Sequence, residues 1–68
     1  MTGPLELAEL RARLNFAREA HREAVTELER LERKRNASPM ALLILRRRVD
    51  TARKELVSAR RRLLRSVR

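Results

Sequence analysis

The chain has no cysteine, no tryptophan and no tyrosine, and only one phenylalanine, one glycine and two prolines in 68 residues. Without cysteine there are no disulfides and no thiolate metal sites, and the redox compartment is left open. Without tyrosine or tryptophan there is no aromatic platform on which exposed bases could stack. Gly3 stands alone, so no glycine loop cradles a phosphate and no dinucleotide fingerprint exists. His21 is the only histidine and has no second ligand at i+4, which leaves nucleophilic triads and zinc without a basis. The longest apolar run, Met40 to Leu45, is six residues, where a membrane span needs about 20. The opening Met1-Thr2-Gly3-Pro4-Leu5-Glu6 is neither basic nor followed by an apolar h-region, so no secretory signal is visible. The expectation is a cytoplasmic protein that is not an enzyme, with no cofactor, no metal and no small-molecule substrate.

What remains is charge and helical pattern. Charged residues make up 40% of the chain, and 18 Lys+Arg against 9 Asp+Glu give a net charge of +9. Sixteen of the cations are arginine, a bias that G+C-rich coding would also produce. Chains shorter than about 70–80 residues rarely bury a self-sufficient core, and with disulfides and metals excluded the remaining remedy is a second copy.

Gly3-Pro4 opens the chain, with Pro4 suited to the first helical position and Glu6 to the first turn. From there an apolar seam runs with 3,4 spacing: Leu7, Leu10, Leu14, Ala17, His21, Ala24, Leu28, Leu31. This is a helical heptad with one polar interruption. Arg33-Lys34-Arg35-Asn36-Ala37-Ser38-Pro39 breaks it. Asn36 is placed to close a helix in the left-handed conformation, and Ser38-Pro39 reads as N-cap and first helical position. A second seam follows with the same spacing: Leu42, Leu45, Val49, Ala52, Leu56, Ala59, Leu63, Ser66. The sequence therefore predicts an all-α antiparallel hairpin, coiled-coil-like, as a single unit over residues 1–68. Helix 1 covers about 4–35, the turn 36–38 and helix 2 about 39–67.

One feature favours the rival arrangement. The heptad phase passes through the break without a slip, so a single kinked helix of about 90 Å would keep its register against another chain. The helix-interior proline, costing about 3 kcal/mol, and two polar residues on the seam speak against it. Folding back at the turn also pairs Leu31 with Leu42, Ala24 with Val49, His21 with Ala52, Ala17 with Leu56 and Leu14 with Ala59. Small faces larger along most of the length, as closely approaching helices require. His21 is then a polar seam residue of the kind that fixes register in coiled coils.

A second apolar stripe, Leu5, Ala8, Ala12, Phe16 and Ala20, lies roughly 140° from the first seam at 100° per residue. It holds the only aromatic side chain, and it leads to the expectation of a homodimer, two hairpins making a four-helix bundle, with Phe16 in or near the interface.

The charge is one-sided. Residues 1–37 hold 8 Lys+Arg and 7 Asp+Glu, whereas residues 38–68 hold 10 against 2. The cations of helix 2, Arg46, Arg47, Arg53, Lys54, Arg60, Arg61, Arg62 and Arg65, recur at seven-residue intervals away from the seam. The fold-back aligns Arg48 with Glu27, but Arg53 with Arg18, Arg60 with Arg11 and Arg62 with Arg13. Like charges so placed oppose the hairpin by a few tenths of a kcal/mol per pair, roughly. That arrangement makes sense if an anion lies against them. The expected partner is nucleic-acid backbone, duplex DNA or structured RNA read without base contacts. The alternative is an acidic protein surface on which the hairpin docks as an adaptor.

In length, basicity and two-helix form the chain is broadly similar to a family of small ribosomal proteins whose second helix carries paired arginines. Arg47-Arg48-Val49-Asp50-Thr51-Ala52-Arg53 is the nearest stretch. Its spacing does not match that family's pattern and the first helix lacks the family's features. The resemblance implies only that a basic hairpin can sit on RNA.

Overall fold

The structure, a computed structural model, describes residues 3–67. Two helices account for nearly all of them: α1 spans Pro4–Glu32 and α2 spans Pro39–Ser66. They pack side by side along their whole length as an antiparallel hairpin measuring 52 × 13 × 13 Å.

Each helix begins where its local chemistry says it should. Pro4 and Pro39 sit in the first turn, where a missing backbone N–H costs nothing. Ser38 is the N-cap of α2, with extended backbone and a side-chain oxygen that accepts from the Ala41 N–H at 3.5 Å. Gly3 caps α1 without a side chain to do the same, and Glu6 supplies an anion to the first turn.

All sixteen seam residues, from Leu7 to Leu31 and from Leu42 to Ser66, are buried or half-buried. Leu14, Ala17, Ala24 and Ala52 are the most enclosed, Ala24 at 3% exposure. Three of these four are alanines. Small side chains at the contact let two helices approach closely, and the core is correspondingly thin. His21 is half-buried on this seam. The register brings Arg48 to Glu27, whose Nη1 and Oε2 lie 3.1 Å apart, the charge pair that the fold-back aligns.

The connection differs from expectation in two respects. α1 stops at Glu32, three residues before the expected end, so the connection covers residues 33–38. Arg33, Lys34 and Arg35 are competent helix formers and a three-residue turn would also close a helical hairpin, so propensity does not mark this end. Nor does Asn36 adopt a left-handed conformation, since no described residue has positive φ. The helix closes instead by tightening: Arg33 N–H bonds Glu29 at 3.2 Å, and Lys34 N–H bonds Leu31 with 3₁₀ spacing at 3.1 Å.

No helix among the described residues is long and apolar enough to cross a membrane.

Candidate anion-binding site

α2 carries nine Lys+Arg and two carboxylates, α1 five arginines and seven glutamates. The difference is spatial as well as arithmetical. Because the seam takes the a and d positions of each heptad, the arginine runs at 46–48, 53–54 and 60–62 wrap the other side of α2.

Five of the eight cations singled out from the sequence meet there. Arg53, Lys54, Arg61, Arg62 and Arg65 surround one concavity of about 610 Å³ on the outer face of α2, floored by Val57 and Ser58. No carboxylate lines it. The spacing explains the convergence: residues 54, 58, 61 and 65 follow one another at four, three and four positions along a single face, with Arg53 and Arg62 flanking. Asp50 reaches Lys54 at 3.2 Å from one turn earlier, so one of the five cations already has a counter-ion. The arginines have no carboxylate within 4.0 Å among the described residues, and the concavity is a region of concentrated positive potential.

The other three lie outside it. Arg46 leans back towards α1, with its Nη2 3.8 Å from Glu32 Oε2. Arg47 belongs to a groove between the helices near the turn. Arg60 is exposed and stands apart from the concavity. The signal for this division, a carboxylate within reach of Arg46 across the turn, is visible only once the register is known.

The second apolar stripe also divides. Ala12 and Phe16 line a groove of about 540 Å³ between α1 and α2, together with Leu10, Ala59, Arg13 and Arg62. Ala20 lines a second groove of about 510 Å³ nearer the turn, with Glu23, Glu27, Ile44, Arg48 and Thr51. Leu5 and Ala8 line neither. Glu55 belongs to both, so the two grooves form one trough along a single flank of the hairpin. Phe16 stands on its rim at 77% exposure. Arg13 and Arg62 share that trough, as the fold-back requires of this like-charged pair.

Among the described residues no cluster of His, Asp and Glu could hold a metal ion. No protein-family model matches the chain, and no curated protein or solved structure is similar enough to count as a match.

Proposed function

We propose that the chain is a non-catalytic, self-associating helical hairpin that binds nucleic-acid backbone, in duplex DNA or structured RNA, through the outer face of α2. The observation that carries this reading is the concavity walled by Arg53, Lys54, Arg61, Arg62 and Arg65 with no carboxylate among its walls. A face selected only for solubility interleaves both signs, as α1 does. Guanidinium groups bind phosphate bidentately, and each phosphate neutralised releases condensed counter-ions.

Shape and backbone recognition fit better than base reading. A two-helix hairpin has no third helix to support a recognition helix in the major groove. Phe16 is the only aromatic residue and lies on the flank of the hairpin rather than within the basic concavity. Stacking of single-stranded bases therefore has no platform.

The test is fluorescence anisotropy of a labelled duplex titrated with the intact protein. Binding at about 50 mM salt, falling steeply towards 200 mM and insensitive to sequence, is the expected result. Absence of binding at the lower salt would overturn the proposal, and co-purification of an acidic protein would replace it with the adaptor function.

Self-association rests on the thin seam and on the apolar residues left outside it. Leu5, Phe16, Ile44 and Leu64 are each more than half exposed in the single hairpin. Phe16→Glu is expected to give monomeric or unfolded protein by light scattering. An unchanged dimer would remove Phe16 from the interface.

A further inference from the structure

The trough on the flank carries more than apolar surface: its two rims have opposite charge. The α1 rim presents Arg13 against Glu23 and Glu27. The α2 rim presents Arg47, Arg48 and Arg62 against Glu55. By count one rim is net negative and the other net positive, although Glu27 and Arg48 already pair across the trough at 3.1 Å, and Phe16 and Ile44 are the large exposed apolar side chains beside them.

Two identical hairpins can bring this flank together about a two-fold axis in two ways. With the axis across the hairpins, α1 lies on the partner's α1 and α2 on the partner's α2. Three arginines then face three arginines across a partly desolvated surface, an arrangement that like-charge repulsion penalises. With the axis along the hairpins, each α1 rim lies on the partner's α2 rim: Glu23 and Glu27 meet the partner's Arg47 and the partner's Arg48 towards the turn, and a single like-charged contact, Arg13 with the partner's Arg62, remains towards the open end.

We infer that the second copy of this chain seats in the trough with the two-fold axis parallel to the long axis, so that both turns lie at the same end of the dimer. The inference rests on the self-association proposed above and adds its geometry. In a pairing of this kind residues at equal height meet. Phe16, which shares its groove with Ser58 and Ala59, comes over the partner's Ser58 and Ala59, where small side chains leave room for a ring. Glu23 takes part in no ion pair among the described residues. It comes within about one helical turn of the partner's Arg48. Closing the trough also covers the Leu10 and Ala59 side of the seam, which a single hairpin leaves half-buried.

The absence of cysteine makes the arrangement measurable. Asn36 is exposed in the turn and its side chain makes no hydrogen bond among the described residues, so Asn36→Cys accepts a nitroxide label without cost to the fold. Electron–electron distance measurements on the labelled full chain are expected to show the two turns about one hairpin width, 13 Å, apart, lengthened by the two label arms. A distance near the full hairpin length of 52 Å would overturn this arrangement while leaving self-association standing. No dipolar coupling, with a monomeric mass by light scattering, would overturn self-association itself.

Discussion

Replacing Ala24 with leucine should destabilise this protein, although it adds apolar volume to a chain with very little core. Ala24 is the most enclosed of the buried residues, at 3% exposure, and the register that pairs Arg48 with Glu27 places it against the Val49 layer of α2. Three further carbons do not fit between the helices at their closest approach, so the helices must separate locally or leucine must turn out of its preferred rotamer towards the groove that Ala24 also lines. Overpacking of this kind costs about 1–3 kcal/mol. In a domain of this size each kcal/mol moves Tm by about 4–8 °C, so a fall of at least about 4 °C is expected. The assay is thermal melting followed by far-ultraviolet circular dichroism, with wild type and variant at one protein concentration because the proposed self-association would make Tm concentration-dependent. Leu14→Ala serves as the companion measurement, since emptying a site at 7% exposure costs about 2–5 kcal/mol whichever way the seam is paired. A rise in Tm for Ala24→Leu would refute the reasoning. It is the outcome expected of one long helix pairing with another chain, where three extra methylene-sized groups on an open heptad seam contribute about 0.8 kcal/mol each.

Three further outcomes follow from the geometry. Arg61→Gln with Arg65→Gln should make the logarithmic salt dependence of duplex binding shallower by about 1.8, at about 0.9 for each phosphate no longer neutralised. Arg60→Gln, outside the concavity, should leave the slope nearly unchanged, and titrations of the two variants side by side decide the assignment. Glu27→Arg converts the 3.1 Å pair with Arg48 into a repulsion at an exposed site. It should cost up to about 1 kcal/mol in dilute buffer and less at high salt, as denaturant midpoints at two ionic strengths will show. Ser38→Ala removes a cap whose bond is long at 3.5 Å, so a loss at the low end of the usual range, about 0.5 kcal/mol, is expected from the same measurement.

The inner face of both helices was legible from the residue pattern because the 3,4 recurrence is set by backbone geometry alone. Leu7 through Ser66 fall where 3.6 residues per turn put them. Ser38-Pro39 was legible for a similar reason, since capping is a contact between near neighbours. The end of α1 was not, because nothing in the propensities of Arg33, Lys34 and Arg35 distinguishes helix from turn. The helix ends there in a 3₁₀ tightening between Leu31 and Lys34, a local geometry that the residue types do not announce. The candidate site was half legible. The heptad placed the cations on the outside of α2 and their spacing brings five of them together, but Arg46 is drawn away by Glu32 across the turn, a contact that depends on the register. The trough was the least accessible: the stripe of Leu5, Ala8, Ala12, Phe16 and Ala20 crosses several heptad positions, and only the flank of α2 decides which of them form its wall.

The basic concavity lies about a quarter turn around α2 from the trough, with Ser58 and Arg62 at the border of both. In a dimer with both turns at one end, the two copies of α2 occupy diagonal corners, and their basic faces point away from one another. Such a particle is divalent. Its two binding faces stand on opposite sides of a bundle about 20 Å thick, two helix diameters, so one face cannot reinforce the grip of the other on a single straight duplex. A divalent particle joins two duplexes when ligand is plentiful and coats each separately when protein is in excess. Light scattering from duplex titrated with protein would then rise, peak near equal numbers of faces and sites, and fall again.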